Sequence, residues 1–535
     1  MKFYKSAINY ILVASFLCLC GCGGGGGSKG SEIAYINSAL LSTEDSNTSD
    51  LNGHIINSNS YSNNNESNNN NNNNNNNAID NNNSAIDENT DQVVTVKEQG
   101  IKKSWLFLVY ISGDNDNILY DQLANIDSME TVGSDENTHV VVYIDIGNRS
   151  DKSFWDYYDW SSTINWDGAR GYYIKKDTEE YKINSPIIAK YGTVDSGSKD
   201  FLLTCLKDGM SRYPADNVCL ILNDHGAGIY GALLDDTEGT MMTNQDIKEA
   251  IQEAENETGM RVNILGFDAC EMAQLEPAYE YKNVTDYIIS SEELTSSIGW
   301  YYDDILELSN EVPIENEEEE EIRGFRTNLR VGLLPRITKA VQNKYINFSK
   351  SGTYSKIPQT VTPKQLAELI FNIHSDQPHN LCTFSVIETA NIEKLATAVN
   401  TFATAVINTD SNNRAKVANC IKLNVDGTEA IQYGWEDFFD LYNMMDSIAL
   451  NENITDTTIK DSANAVKERV TEVVIYNTNV ASYDSNYANS YGISVFFTST
   501  PSLMYSTDKE IYSTMAFIQE TNWFEMMKKL EEKVK

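Results

Sequence analysis

Positive charge is scarce in this chain. Its 535 residues carry 40 Lys and Arg against 78 Asp and Glu, a formal net charge of −38. A surface that acidic repels phosphate backbones, so no nucleic-acid partner is expected. Part of the charge simply solvates the surface, and part gives a weak long-range preference for cationic substrates. Long apolar runs are lacking too. No stretch reaches the ~20 residues that a membrane-spanning helix needs. Closely spaced cysteine pairs are absent beyond the N-terminus. Cys205, Cys219, Cys270, Cys382 and Cys420 form no CxxC unit, so no zinc cluster is expected. Their number is odd, which leaves at least one thiol without a partner in the chain. No repeat of solenoid length occurs. Apolar residues still make up 41%, with 30 Tyr, 17 Phe and 7 Trp, enough for a sizeable core.

The N-terminus is read as a targeting segment. Lys2 and Lys5 precede an apolar run from Ile8 to Leu19. That run is long enough for a secretory signal and too short for a bilayer. Leu19-Cys20-Gly21-Cys22 follows, and it resembles a bacterial lipobox. The resemblance implies a signal over residues 1–21 and lipidation at Cys22, with the protein held at the bacterial cell envelope and facing out of the cytoplasm. An ordinary signal peptide cut nearby is the other reading. Residues 22–100 are Asn- and Ser-rich, with an unbroken Asn run from Asn68 to Asn77. Such a segment buries too little apolar surface to offset its ordering entropy, and it reads as a tether.

Folded sequence starts near residue 101. Trp105–Ile111, His139–Asp145, Val218–Leu222, Val262–Phe267 and Tyr287–Ile289 are short apolar runs rich in β-branched residues. They read as strands buried on both faces. Helical patterns alternate with them over Leu119–Val132, Asp200–Arg212, Thr243–Glu255 and Cys270–Glu280. Alternation of this kind implies an α/β fold, a mainly parallel sheet with helices on both faces. Residues 311–360 read as an acidic insertion around Glu315–Glu321. A looser α/β C-terminal region over 361–535 completes or flanks the core. Its elements are a helix over Pro363–His374, a strand over Thr383–Ile387, a helix over Ile392–Ile407, strands over Val473–Tyr476 and Gly492–Phe497, and a closing helix over Tyr512–Lys529.

Chemistry in an open α/β sheet gathers beyond the carboxyl ends of its strands. Asn223-Asp224-His225-Gly226-Ala227-Gly228 follows the third run, and Asp268-Ala269-Cys270-Glu271 follows the fourth. If those strands are neighbours, His225 and Cys270 share one rim. A thiolate with an imidazole to carry its proton makes a nucleophile. A helix starting at Cys270 would favour that thiolate further. The N–H groups of Gly226 and Cys270 are candidates for an oxyanion hole. Taken singly, a cysteine at a strand end belongs to a core and a histidine before glycine to a turn.

Taken together, the segments at 223–228 and 267–272 resemble the His and Cys motifs of the clostripain family of cysteine peptidases. Residues 109–116, Tyr213–Asp216, Ser290–Glu293 and Gly299–Tyr302 extend the likeness over roughly 104–310. Asp440-Leu441, Gly492–Val495 and Thr521–Trp523 continue it more loosely. The resemblance implies a caspase-like fold over 101–310, a Cys270–His225 dyad, protein or peptide substrates and cleavage after basic residues. It implies that Asp268, two before the nucleophile, faces the P1 side chain, where a carboxylate would pair with Arg or Lys. Capping of a Cys270 helix is the structural alternative for Asp268. Three departures stand out. Ile298 precedes Gly299-Trp300, where some relatives have an acid. Only Lys248 and Arg261 lie between His225 and Cys270 as basic residues for self-cleavage. Asp114-Asn115-Asp116-Asn117 lacks the Gly and distal Glu of a Ca²⁺ loop. No metal ligand or other cofactor is therefore assigned, and a calcium requirement rests on the resemblance alone. The expected function is a membrane-anchored extracytoplasmic cysteine endopeptidase. A catalytically degenerate binding lipoprotein of the same fold is the alternative.

Overall fold

The run around Trp105 is a strand because its residues are apolar on both faces, as a central parallel strand requires. In the computed structural model it spans Lys103–Ser112, and all ten residues are buried. The structure describes residues 91–115, 117–148, 160, 163–307, 361–375, 383–422, 431–433, 437–479 and 490–532. The signal segment, Cys22, nearly all of the tether, the acidic insertion and Cys382 lie outside the described residues.

The strands in chain order are β1 (Lys103–Ser112), β2 (Thr138–Asp145), β3 (Ala169–Tyr173), β4 (Ile187–Gly192), β5 (Ala215–Asn223), β6 (Ala232–Asp235), β7 (Thr240–Met242), β8 (Val262–Asp268), β9 (Tyr287–Ser290), β10 (Thr383–Glu388), β11 (Gln432–Tyr433), β12 (Phe438–Asp440), β13 (Val474–Asn479) and β14 (Ser494–Phe496). Nine of them form one sheet in the order β13-β10-β9-β8-β5-β1-β2-β3-β4. The middle five, β9 to β2, are parallel to one another. Antiparallel strands close both edges, β3 and β4 on one side and β10 and β13 on the other. A mainly parallel α/β sheet is thus what the chain builds, and residues beyond 361 supply two of its strands.

Side-chain alternation divides the core in two. Trp105, Phe107, Val109 and Ile111 face one side, with Leu119, Leu123 and Ile126 of helix α1 (Leu119–Glu130) and with Leu366 and Ile370. Leu106, Leu108 and Tyr110 face the other. There they meet Leu202 and Leu206 of α2 (Lys199–Arg212), Ile247 and Ile251 of α3 (Asn244–Thr258), and the helix Ile392–Asn408. Each such Leu or Ile contributes about 1.5–3 kcal/mol by leaving water. Helix α3 starts where the sequence indicates. Thr243 Oγ1 accepts from Asp246 N at 3.1 Å and Asp246 returns a carboxylate to Thr243 N, a capping box.

Two helical expectations need correction. The helix placed at Cys270–Glu280 begins only at Leu275, as α4 (Leu275–Tyr281). Glu271 takes a left-handed φ of 60°, which bars helix continuation through the Cys270 turn. Neither a helix dipole at Cys270 nor a cap by Asp268 is therefore available. The closing helix is three helices, Ser506–Thr514, Ala516–Glu520 and Trp523–Glu531. Met515 and Thr521 are extended and interrupt it, which lets Phe517 and Trp523 both reach the core.

Candidate active site

β5 and β8 are parallel neighbours, in register from Cys219↔Ile264 to Asn223↔Asp268. His225 and Cys270 each lie two residues past that last pair, so they leave the sheet at one level. Asn223 Nδ2 donates to Asp268 Oδ2 at 2.7 Å and locks the register there. The two loops touch directly. A Cβ at Gly226 would stand 2.3 Å from Cys270 O and 3.0 Å from Cys270 N and Ala269 Cβ. Only glycine allows this approach. The Gly226 N–H takes no acceptor among the described residues. Gln274 ties the two loops again, its Oε1 accepting from Ile229 N at 3.0 Å.

Cys270 is half-buried. Its Sγ accepts from Thr295 N at 3.3 Å and lies 3.6 Å from Thr295 Oγ1. That N–H would favour a thiolate, while Thr295 O, 3.9 Å from Sγ, accepts from the thiol form. Cys205, Cys219 and Cys420 are free and buried, and burial pushes their thiols up, so they are inert by comparison.

His225 is buried, and burial pushes its imidazole down to about 4. It is neutral at pH 7. Its Nε2 lies 3.0 Å from Asn117 Oδ1. The imidazole and Sγ are not hydrogen-bonded to each other.

Asp268, two residues before Cys270, is buried. Its Oδ2 accepts from Asn223 Nδ2, from Trp300 N at 3.0 Å and from Tyr302 OH at 2.8 Å. Oδ1 takes no donor among the described residues. Burial raises the carboxyl to about 6 despite those three donors. The residues flagged between His225 and Cys270 are both engaged. Lys248 sits within α3 and pairs with Glu280 at 2.8 Å, and Arg261 pairs with Asp286 at 3.1 Å.

Asn117 and Thr295 were not visible as site residues in the sequence. No local pattern marks a polar side chain or an amide that reaches the site only through the sheet order. A second rim feature was missed as well. Oxygens of Asp114, Asp235 and Glu238 lie within 4.8 Å of one another. Asp145, 1% exposed, stands near all three, and its Oδ2 is buried with no partner among the described residues. A hard-oxygen donor set of this kind suits calcium better than softer metals. Asp114 comes from the acidic turn noted in the sequence, but its partners come from β6 and the turn after it.

Several known proteins are similar to this chain. Clostripain from Hathewaya histolytica is 23% identical over 426 residues, covering 72% of this chain and 73% of that protein. A secreted cysteine protease from Bacteroides thetaiotaomicron, solved with an irreversible peptide inhibitor, is 18% identical. It covers 79% of this chain and 99% of its own, with a TM-score of 0.47. An inactive zymogen protease from Parabacteroides distasonis is 16% identical, covering 78% and 98%, with a TM-score of 0.47. Residues 109–530 match the profile of the clostripain family. That span includes the strands carrying His225 and Cys270 and every strand of the C-terminal region, and the chain belongs to the clostripain family of cysteine peptidases.

Proposed function

We propose that the protein is an endopeptidase whose dyad is Cys270 and His225, cutting after Arg or Lys. The observation that carries this reading is the contact of Gly226 with the Cys270 backbone, which sets the two loops side by side at one rim. His225 takes the thiol proton as Sγ attacks the scissile carbonyl carbon. The oxyanion is held by the N–H groups of Gly226 and Cys270. The C–N bond breaks as His225 passes that proton to the leaving amine, leaving a thioester on Cys270. Water, deprotonated by His225, attacks the thioester; the carboxylic acid product leaves and Sγ recovers a proton.

Asp268 serves the basic P1 side chain through Oδ1, while three donors pin Oδ2. A carboxylate so fixed loses little freedom on meeting a guanidinium. A calcium ion would be held by Asp114, Asp235 and Glu238, where it would offset their crowded negative charge and brace the turn. The N-terminal pattern from Lys2 to Cys22 supports a lipid on Cys22 and a place outside the cytoplasm. Cys22→Ala should abolish metabolic labelling with a fatty-acid probe.

The test of the dyad is Cys270→Ala assayed on fluorogenic Arg and Lys peptides. Activity should fall by at least about a thousandfold, as for removal of an activated nucleophile. A loss of less than tenfold would refute the assignment.

A further inference from the structure

We propose that Asn117 is a positioning residue that fixes the tautomer and tilt of His225, making Nδ1 the nitrogen that moves the proton. The inference rests on the dyad reading above. An amide oxygen can only accept, so Nε2, 3.0 Å from Asn117 Oδ1, must carry its hydrogen in the neutral ring. Nδ1 is then the basic nitrogen, and it takes no partner among the described residues. In a neutral imidazole the hydrogen bond made by one nitrogen decides the state of the other.

The turn that presents Asn117 is held from both ends. Asn115 Oδ1 accepts from Ile118 N and Leu119 N, both at 3.0 Å, and so caps α1. Asn115 Nδ2 contacts Ser112 O at 3.1 Å, Gln122 Oε1 at 3.2 Å and Asp224 Oδ1 at 3.2 Å. Asp224 directly precedes His225, and its Oδ2 accepts from Leu234 N of β6. Leu233 N, in turn, donates to His225 O at 3.0 Å. One turn therefore grips the histidine through its backbone neighbour and through its ring. Without Asn117 the ring keeps its place in the chain but loses the contact that chooses between its two tautomers.

The experiment uses the full chain with Asn117→Leu, Asn117→Asp and His225→Ala, each read by kcat, KM and the pH profile of kcat/KM. Asn117→Leu removes the acceptor while keeping the number and branching of the side-chain heavy atoms. It should lower kcat roughly tenfold or more, a share of the ~10²–10⁴-fold that a placed proton-transfer group supplies, with KM within twofold. Asn117→Asp keeps an acceptor and adds a charge. It should retain most of kcat and shift the acid limb of the profile to higher pH, because a carboxylate beside the ring favours imidazolium. A merely structural asparagine would not move that limb. Asn117→Leu with kcat within twofold of wild type overturns the proposal. So does Asn117→Asp as damaged as Asn117→Leu, since the amide would then act as donor. If His225→Ala stays active, the dyad itself falls. If His225→Ala is inactive and Asn117→Leu is not, only the positioning role falls.

Discussion

Gly226→Ala is the most direct probe of how the His and Cys loops meet. Gly226 has no positive φ, so alanine carries no backbone penalty there. The whole effect is steric. The new methyl would stand 2.3 Å from Cys270 O, about 1 Å inside van der Waals contact. The obstruction is backbone rather than a flexible side-chain end, so the loops must part by about that distance. Displacing catalytic groups by about 1 Å costs on the order of a hundredfold in rate. Global stability should drop only modestly, about 1–3 kcal/mol, as for a single overpacked position. The assay is kcat/KM on an Arg peptide beside a thermal melt. Activity within threefold of wild type would refute the claim that close contact of these loops assembles the site. An unfolded protein would show instead that the contact carries the fold.

Other consequences follow from the same geometry. Asp268→Asn can keep its three donors on the amide oxygen while losing its charge. Its kcat/KM on Arg peptides should fall about 10–100-fold, the worth of a charge-assisted bond, with neutral P1 substrates little affected; equal losses on both would count against a P1 role. In the wild type, with Asp268 at about 6, KM for Arg peptides should climb as pH drops below 6 and stay flat above 7. Glu292 and Asp440 form a buried carboxyl pair: burial raises both, and the charge of Asp440 raises Glu292 further. A raised folded value means stability is fullest at acid pH and falls as pH rises from ~4 towards neutrality, because the unfolded chain releases the proton that the folded pair retains. Glu292→Gln should flatten that decline between pH 5 and 8 in denaturant titrations; a difference from wild type that is independent of pH would contradict it. Calcium at ~10 mM should raise the melting midpoint of the Cys270→Ala protein by roughly 2 °C if the site binds with millimolar strength. That gain should vanish in Asp235→Asn; a gain that persists there would place the ion elsewhere.

What could be read from the sequence was what depends on local pattern plus one rule of topology. The five parallel strands are continuous apolar runs, and parallel strands end on one edge, so the placing of His225 and Cys270 on one rim was legible in the sequence. β3 escaped because Ala169–Tyr173 contains Arg170 and Gly171 and shows no apolar run. Arg170 is sheltered by stacking 4.2 Å over Trp166, a contact made only after folding. The hairpin of β6 and β7 escaped through brevity. The Cys270 turn reads as helix because Cys270–Glu280 has helical periodicity, and nothing in composition announces the left-handed Glu271. Asn117 and Thr295 were out of reach for a different reason. Their importance comes from which strand lies beside which, and a single chain does not print that order.

The far end of the polypeptide bears on the nucleophile in one more way. Ser494 N donates to Ala273 O at 2.9 Å, and Gln274 bridges Ser494 just beyond the Cys270 turn. Glu276 accepts from Phe496 N and Tyr512 OH, and Trp523 Nε1 closes on Phe496 O. Over two hundred residues of synthesis separate Cys270 from these props, so a chain cut short before Ser494 lacks the packing that stands behind the Cys270 turn.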